Sequence, residues 1–487
     1  MVAPCCLGPA REFSYTGRFD ERVTILAALT LAAYGAALLL IGAWASRRSR
    51  SHGDFLLGGR RLGPVIAAFS ASASSSSAWT LVGVSSAAYA WGAAAIWLLP
   101  ATLSGFAINW YLIAPRLQAQ SAADGSLTLT EFILPASLGP ARRWLGRLAA
   151  AMVLFAFVFY IASQFEAGAR AVEVYFDWPR ELGIIAGTAL VLAYTLLGGF
   201  WAASVSDTLQ GLAMVGAAVL LPIAGVAALG GPGPFVTAVA QLFATTPLAP
   251  GQAGWGAALA FGFGLLGIGF GYPGQPHVVN RFMAMADGAA IGTARTIAMT
   301  WAVAIYTGML IVGWSARWLL DAGTVGDQVL FVYTQTVLAP VLAAIVLAAI
   351  LSAIMSTTDS QLLVAASAVS HDTALGRAPR GGALAVRATV VVICVLAAAL
   401  ALKLPDDIFN RVLFAWHALG SAFGPLLVAR LVGRHAGPWV SAATLCTGFF
   451  LTIVFNALPN TLGDWAERWV PLAVAGLIVA LGSRPPK

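Results

Sequence analysis

Charged side chains are scarce in this chain. Only 10% of its 487 residues are Asp, Glu, Lys or Arg, while 59% are hydrophobic. A soluble domain carries about 25% charged residues, and a soluble fold of this size could not cover so apolar a composition with polar groups. The scarcity of charge excludes a soluble globular protein and indicates a polytopic membrane protein.

Cysteine and histidine are also sparse. The four cysteines, Cys5, Cys6, Cys394 and Cys446, show no CxxC or Cys/His spacing, and the five histidines are scattered. This pattern indicates neither a disulfide framework nor a transition-metal cluster. The sequence has no GxxxxGK[ST] loop, and no nucleophile, base and orienting group are found together. We therefore predict neither an ATP-driven pump nor an enzyme, and no organic cofactor.

Thirteen hydrophobic runs are long enough to cross a bilayer, which takes roughly 17–25 residues. The first run has no basic segment before it and no small-residue cleavage site after it, so we expect a retained helix rather than a signal peptide. The predicted spans are 22–46, 63–89, 91–115, 146–170, 181–199, 203–230, 252–276, 293–318, 328–358, 385–403, 409–432, 437–457 and 467–483. Short polar loops separate them, except for the loop 116–145, whose LTLTEFI segment predicts a partial or interfacial helix.

Basic residues are distributed unevenly among the predicted loops. With the N-terminus outside, one face collects 18 of the 27 Lys and Arg residues, Arg281 among them, and the other face the remaining nine. The opposite loops carry Asp177, Glu181, Asp321, Asp327, Asp406, Asp407, Asp464 and Glu467. Because cytoplasmic loops carry the excess of Lys and Arg, we predict a plasma (inner) membrane protein with an extracellular N-terminus and a cytoplasmic C-terminus. Topology thus explains the net charge of +7 without nucleic acid.

Two predicted spans carry hydroxyl groups at the depth of the bilayer. SASASSSSAWTLVG (70–83) has six serines, and AAILSAIMSTTDSQLLVAASA (348–368) has a similar polar cluster at its centre. Such hydroxyls either bond to carbonyls one turn earlier in a closely packed helix or line a site where a helix is interrupted. Two such segments in corresponding halves favour two interrupted helices around a site. Side chains with oxygen donors alone suit a hard monovalent cation such as sodium.

A third segment, GFGLLGIGFGYPGQPH (262–277), is rich in glycine and holds two prolines. This composition predicts an unwound stretch, whose backbone donors and acceptors would face a small zwitterion. The alternative is a loosely packed helix that ends at Pro273.

Ionisable residues within the spans are functional candidates. Glu166 and Arg170 are four residues apart, so they can pair on one helix face. Asp207 either caps the N-terminus of a helix or belongs to the ion exit path. Asp359 is expected to face the cytoplasmic vestibule, where its charge would hold a departing cation.

These segments resemble the sodium/solute symporter family, and within it the sodium/proline symporters. LGGRRLGPVIAAFSASASSSSAW, YTLLGGFWAASVSDTLQG, GYPGQPHVVNRFMA and LSAIMSTTDSQLLVAASAVSHD resemble the family's first core helix, the entry to its fifth, its sixth and its eighth. The resemblance implies an all-α, leucine-transporter-like fold of two inverted five-helix repeats with discontinuous helices. The implied parts are an N-terminal segment with an extra helix (1–62), a core (63–432, with repeats 63–230 and 252–432) and two C-terminal helices (433–487).

The resemblance also implies where ligands bind. Sodium ligands would be the backbone oxygens of Ala73, Ser76 and Ala353 and the hydroxyls of Ser356 and Thr357. Substrate contacts would come from Ser77, Trp79, Tyr160, Tyr272 and Pro276. Residues of the ion path or gates would be Ser75, Arg60, Asp207 and Asp359.

Two positions depart from the sodium/proline pattern. Ser75 stands where these symporters usually carry an aspartate, which removes a charge near the ion route. Ile268 stands where they usually carry a tryptophan, which removes one wall of the substrate pocket.

We therefore expect a sodium-coupled symporter that imports a small organic solute, proline or a related amino acid, by alternating access, with no obligate protein partner. One alternative is a proton-coupled symporter of another solute, such as a carboxylate or sugar, in which Asp359, Asp207 or Glu166 carries the proton. Uptake driven by sodium without a pH gradient separates the two. A second alternative is a solute sensor that does not transport, which often has a signalling domain.

Overall fold

Backbone N–H and C=O groups inside a bilayer must bond within their own segment, which favours helices in so apolar a chain. The computed structural model describes residues 21–46, 52–196, 199–286, 290–321, 324, 326–375, 383–403, 408–459 and 461–485. Within these ranges the chain is helical, with only isolated β-bridges and no β-strand. The predicted loop residues Asp406 and Asp407 and the cysteines Cys5 and Cys6 lie outside the described residues.

Twenty α-helices follow one another along the described chain. The first ten are α1 (Glu21–Ser46), α2 (His52–Leu57), α3 (Pro64–Ser75), α4 (Val84–Trp91), α5 (Leu98–Ala107), α6 (Ala114–Asp124), α7 (Leu129–Ile133), α8 (Ala141–Phe176), α9 (Arg180–Thr195) and α10 (Phe200–Ala228). The others are α11 (Pro232–Thr245), α12 (Trp255–Phe270), α13 (Pro276–Met283), α14 (Ile291–Leu319), α15 (Val329–Val337), α16 (Pro340–Ser370), α17 (Ala383–Lys403), α18 (Ile408–Leu431), α19 (Pro438–Asn456) and α20 (Trp465–Gly482).

Eleven described segments are long and apolar enough to cross a membrane, so the predicted count of thirteen is not confirmed. The third predicted span and the end of the second, residues 79–89, fall within one segment, Trp79–Asp124. The fifth corresponds to α9, whose 16 residues are fewer than the roughly 17–25 that a span requires.

The predicted span 328–358 is wrong in its boundaries. The structure divides it into α15 and α16, and α16 continues to Ser370. Pro340 begins α16 because a proline is tolerated in the first turn, where its missing N–H has no intrahelical role. The hydroxyl-rich stretch therefore lies in the middle of a 31-residue helix rather than at its end.

The interfacial helix predicted in the loop 116–145 is present as α7. The Thr128 hydroxyl accepts from the Glu131 N–H (3.0 Å), while the Glu131 carboxylate accepts from the Leu127 N–H (2.8 Å), which is a capping box. Burial raises the pKa of Glu131, but hydrogen bonds from His371 and Leu127, with Arg142 nearby, bring it below its usual value. The contact with His371 (2.9 Å) ties α7 to the end of α16.

The spans differ in how far other helices cover them. In α18, 94% of the apolar window is buried, against 22% in α1 and in the segment that contains α20, so α18 is central and the other two are peripheral. Around the centre, α10 packs against α3, α14 and α16, while α8 packs against α16 and α18. Helices α3 and α4 also lie inside the bundle, because α3 packs against α10, α14 and α16 and α4 packs against α14.

Close packing of α14 on α10 depends on Gly308. A Cβ atom at this position would lie 2.2 Å from the carbonyl oxygen of Ala218, which belongs to the backbone of α10. We predict that Gly308→Ala forces the two helices apart and destabilises the fold by about 1–3 kcal/mol. The measurement is thermal unfolding of the purified protein in detergent.

Gly292 is the matched control, because it lies on the same helix and a Cβ atom there meets nothing within 4 Å. Gly292→Ala should melt at the wild-type temperature or slightly above it, since alanine favours helix. Equal melting temperatures for the two variants would show that the α10–α14 contact is not a tight one.

Candidate functional site

The first core helix is broken at the hydroxyl-rich segment. Helix α3 ends at Ser75, Ser76 leaves helical geometry (φ −116°, ψ 82°), and a π-helical turn from Trp79 to Gly83 leads into α4. The Ser76 N–H bonds to the Ala73 carbonyl (3.1 Å), so α3 ends in a tight turn. The interruption predicted in this span is confirmed.

The second hydroxyl-rich segment is not interrupted, and the prediction of a break there is wrong. Helix α16 runs unbroken through it. Several of its hydroxyls donate to carbonyls of their own helix, as Ser352 does to Ala348 (2.8 Å) and Thr358 to Ile354 (2.7 Å). Hydroxyls that are satisfied in this way do not require the backbone to open.

Two hydroxyls of α16 reach across to the break in α3. The Ser356 hydroxyl donates to the Ala73 carbonyl (3.2 Å) and lies 3.3 Å from the Ala353 carbonyl. The Thr357 hydroxyl donates to the Ser74 carbonyl (3.2 Å). Four of the five sodium-ligand candidates therefore lie on the two facing sides of one contact between α3 and α16, and the fifth, Ser76, is the residue at the break itself.

The donor atoms at this contact suit a small hard cation. They are carbonyl and hydroxyl oxygens, the ligands such cations prefer, with neither thiol nor imidazole among the residues named. The Ser76 hydroxyl oxygen is buried without a hydrogen-bond partner in the described part of the chain. Ser75 does not reach the contact, because its hydroxyl donates to the Ser72 carbonyl of its own helix (2.9 Å).

The second break lies between α12 and α13. The glycine-rich stretch does not unwind as predicted, since α12 continues through it to Phe270 and the interruption is confined to residues 271–275. The glycines instead allow close contacts: a Cβ atom at Gly269 would lie 2.4 Å from the Ala101 carbonyl oxygen, and one at Gly274 would lie 2.6 Å from the Gly420 Cα. Pro276 is the first residue of α13.

Most of the predicted substrate residues surround the two breaks. The Tyr160 hydroxyl on α8 donates to the Ser77 hydroxyl (3.3 Å). The Tyr272 and Tyr306 hydroxyls are 3.4 Å apart, and the Trp79 ring packs edge-on against Tyr306 at 6.5 Å. The structure thus brings Ser77, Trp79, Tyr160 and Tyr272 together with Tyr306 of α14, to which no pattern in the sequence pointed. That they contact a substrate stays a prediction.

Trp416 of α18 also packs against this aromatic cluster, although no pattern in the sequence pointed to it. Its ring lies edge-on to Tyr272 (4.6 Å), and its indole N–H donates to the Ile268 carbonyl (3.0 Å). A tryptophan therefore packs beside the position where Ile268 replaces one. His277 is close by, with its ring centroid 6.0 Å from that of Tyr160, and both of its ring nitrogens are buried without a hydrogen-bond partner among the described residues.

A buried charge network lies one to two turns before the break in α3. Asp207 accepts from the hydroxyls of Ser70 (2.7 Å) and Ser74 (3.1 Å) and from the Arg281 guanidinium (3.1 Å). Arg281 also donates to the Ser70 and Ser360 hydroxyls and to the His277 carbonyl. These contacts join α3, α10, α13 and α16.

Two predictions about this network are wrong. Asp207 is not an N-terminal cap, because α10 begins at Phe200 after Gly199, so Asp207 lies two turns inside the helix. Arg281 is not in an exposed loop, since only 1% of its side chain is exposed. Its guanidinium lies 5.0 Å from the centroid of the Phe200 ring as well as beside Asp207, which compensates its burial.

The remaining acidic candidates are also buried. Asp359 accepts from the Ser360 hydroxyl (3.2 Å), so it adjoins the same network. Glu166 pairs with Arg170 as predicted (3.6 Å), but its closer partner is Arg180 of α9, which approaches both carboxylate oxygens (2.6 and 2.8 Å). The Glu166 contacts tie α8 to α9, and its partners Arg170 and Arg180 belong neither to α3 nor to α16.

Arg60 lies at the entrance to α3. Its guanidinium donates to carbonyls of Ser121 (2.8 Å), Ser126 (2.5 Å) and Met283 (2.6 Å). It therefore joins the start of the first core helix to α13 and to the loop after α6. The part played by Ser75, Arg60, Asp207 and Asp359 in ion passage stays a prediction.

Two membrane helices are broken within the bundle, and backbone and hydroxyl oxygens lie together at one of the breaks. This combination is typical of a secondary membrane transporter rather than an enzyme. The model of the sodium:solute symporter family matches residues 55–435. The chain belongs to this family.

Relatives match most of the chain. It is 32% identical over 473 residues to the osmoregulated proline transporter OpuE of Bacillus subtilis, covering 94% of this chain and 95% of OpuE. It is 34% identical over 438 residues to the sodium/proline symporter of Escherichia coli, with 86% of each chain covered.

Solved structures show the same fold. A substrate-bound, outward-open Na⁺-coupled sialic acid symporter superposes with a TM-score of 0.77 at 18% identity, covering 95% of this chain and 99% of the other. Mhp1, a nucleobase-cation-symport-1 family transporter, superposes with a TM-score of 0.56 at 14% identity, covering 88% and 94%. The predicted all-α membrane fold of leucine-transporter type, with discontinuous helices, is confirmed.

The buried network allows a prediction about paired charges. Arg281→Gln should leave the Asp207 carboxylate buried without its cation, which destabilises the fold by about 3–5 kcal/mol. Combining it with Asp207→Asn removes both charges, so the double variant should be more stable than Arg281→Gln alone. Thermal unfolding of the two single variants and the double variant measures this; strictly additive losses would show that the two groups do not interact.

Proposed function

We propose that this chain imports proline, or a closely related amino acid, together with sodium, and that it does so across the plasma membrane by alternating access. Two kinds of observation support the proposal. Relatives that match almost the whole chain are named proline transporters or sodium/proline symporters. The site presents oxygen atoms for the ion beside a cluster of aromatic side chains that would suit a small ring.

The observation that carries the ion assignment is the contact between the break and α16. There the Ser356 and Thr357 hydroxyls donate to the carbonyls of Ala73 and Ser74. A hydroxyl that donates to a carbonyl in this structure also has lone pairs for a cation, and the carbonyls offer theirs to the same point. Sodium bound here would connect α3 to α16.

For the substrate, the pocket offers aromatic faces and few polar groups. Tyr160, Tyr272, Tyr306 and Trp416 would cover the apolar ring of proline, while the Ser77 hydroxyl and the backbone at the two breaks would bond its charged ends. Tyr272 contacts both Tyr306 and Trp416 in this structure. Solute entry would require these rings to separate, as an alternating-access cycle provides.

The driving force is adequate for accumulation. One sodium ion that crosses about 100 mV releases about 2.3 kcal/mol, and a tenfold sodium gradient adds about 1.4 kcal/mol. The sum of about 3.7 kcal/mol would support roughly 500-fold accumulation of a neutral solute at one-to-one coupling.

Transport by reconstituted protein tests the proposal. Proteoliposomes with an inward sodium gradient and equal pH on both sides should accumulate radiolabelled proline, and collapse of the gradient should release it. Unlabelled amino acids and small carboxylates added in excess should rank the solutes by competition. Absence of sodium-driven uptake for every solute would refute the proposal.

One observation favours testing the proton-coupled alternative in the same experiment. Among the described residues, Asp207 pairs with the Arg281 guanidinium, while the second buried carboxylate, Asp359, reaches that guanidinium only through the Ser360 hydroxyl. The excess carboxylate offers a place for a proton. Uptake driven by a pH gradient at equal sodium, but not by sodium at equal pH, would favour this alternative.

Substitution of the two hydroxyls tests the ion ligands. Ser356→Ala and Thr357→Ala should raise the sodium concentration for half-maximal uptake by about tenfold, which corresponds to one lost ligand at about 1.4 kcal/mol. The half-maximal proline concentration, measured at saturating sodium, should change far less.

Thr358→Ala is the matched control for these variants. Its hydroxyl lies next in the same helix but donates to the Ile354 carbonyl of α16 itself. Sodium dependence should remain that of the wild type. Equal shifts for sodium and proline in Ser356→Ala, or the same sodium shift in Thr358→Ala, would count against the assignment.

A further inference from the structure

The break in the first core helix leaves an N–H group that a helix would satisfy. In an unbroken α-helix the Ala78 N–H would bond to the Ser74 carbonyl, four residues earlier. In the structure it instead donates to the side-chain amide oxygen of Gln164 on α8, at 3.0 Å and fully buried. Gln164 thus replaces the helical acceptor.

The carbonyls on the other side of the break are satisfied by α16. The Ser74 carbonyl accepts from the Thr357 hydroxyl, and the Ala73 carbonyl accepts from the Ser356 hydroxyl, each at 3.2 Å. The hydrogen bonds that the helix loses at Ala73, Ser74 and Ala78 are therefore divided between two neighbours. Helix α16, which carries the proposed ion ligands, holds one end of the break, and α8 holds the other.

Helix α8 also carries the proposed substrate contact. Tyr160 lies four residues before Gln164, so both side chains project from one face of α8. The Tyr160 hydroxyl donates to Ser77, and Gln164 accepts from the next residue, Ala78. The Gln164 amide nitrogen donates to the Ser163 hydroxyl of α8 itself (3.3 Å).

We propose that Gln164 is a positioning residue that couples the ion site to the substrate site. This inference rests on the proposed function. A cation at the α16 end changes the bonding of the Ala73 and Ser74 carbonyls, while Gln164 fixes Ala78 to α8. The resulting displacement of residues 74–78 therefore reaches the Ser77–Tyr160 contact, where the solute binds.

The coupling between sodium binding and solute binding can be measured as a ratio of dissociation constants. If sodium tightens solute binding by a given ratio, the solute tightens sodium binding by the same ratio, because the two belong to one thermodynamic cycle. Removing Gln164 as acceptor disconnects the α8 end of the break and should lower that ratio without removing an ion ligand or a solute contact.

The experiment measures binding of radiolabelled proline to purified full-length protein at low and at saturating sodium. The ratio of the two dissociation constants is the coupling factor. In Gln164→Met, which keeps the volume but lacks the amide acceptor, the coupling factor should fall by about tenfold, within the usual range of coupling energies. Gln164→Glu keeps an acceptor oxygen at the same distance from the backbone and should retain most of the coupling.

Ser163→Ala is the control, because it removes the partner of the Gln164 amide nitrogen and a hydroxyl bond to the Tyr160 carbonyl within α8, but leaves the bond from Ala78 to Gln164 in place. Its coupling factor should equal that of the wild type. Thermal unfolding establishes that each variant is folded, and should Gln164→Glu not fold, the comparison of Gln164→Met with Ser163→Ala decides. A wild-type coupling factor in Gln164→Met would refute this inference, whereas wild-type protein without sodium-dependent proline binding would refute the proposed function instead.

Discussion

The structure depends on satisfying backbone groups where the first core helix is broken. At bilayer depth, an unpaired N–H or C=O group costs several kcal/mol, because no water replaces the lost helical bond. Residues 73–78 meet this requirement with side chains from two other helices, Ser356 and Thr357 of α16 and Gln164 of α8. The geometry of the break is therefore set by its neighbours together with its own Ser77, whose hydroxyl accepts from the Trp79 N–H (3.2 Å).

The charge network beside the break follows from the same constraint. Arg281, Asp207 and the hydroxyls of Ser70, Ser74 and Ser360 bond to one another out of reach of water. Ser74 belongs to both systems, since its hydroxyl donates to Asp207 while its carbonyl accepts from Thr357. A change in the hydrogen bond between Thr357 and the Ser74 carbonyl would consequently act on a residue that also bonds to Asp207, whose network with Arg281 joins four helices.

Patterns within a single segment of the sequence predict much of the candidate site. Contacts between distant segments cannot be predicted from such patterns. The serines of α3 and the GYPGQP segment located both breaks, because polar and helix-breaking residues act locally. The break predicted in α16 is wrong because a hydroxyl bonds to a carbonyl of its own helix, one turn earlier, as readily as to another helix. The Glu166–Arg170 pair follows from spacing, while Arg180 as the closer partner depends on how α9 folds back on α8. Arg281 was assigned to a loop because its charge is visible in the sequence and its partner Asp207, 74 residues away, is not.

An ion and a neutral solute that bind at different atoms influence each other only through an element whose arrangement both of them bias. In the coupling we propose, the six residues 73–78 are this element, since the carbonyls of Ala73 and Ser74 bond to α16 and the Ala78 N–H bonds to α8. A continuous helix would satisfy those groups internally and transmit nothing between its neighbours. The loss of helical hydrogen bonds at this position is therefore a requirement of coupling, and the hydroxyl-rich sequence keeps the lost bonds from destabilising the protein.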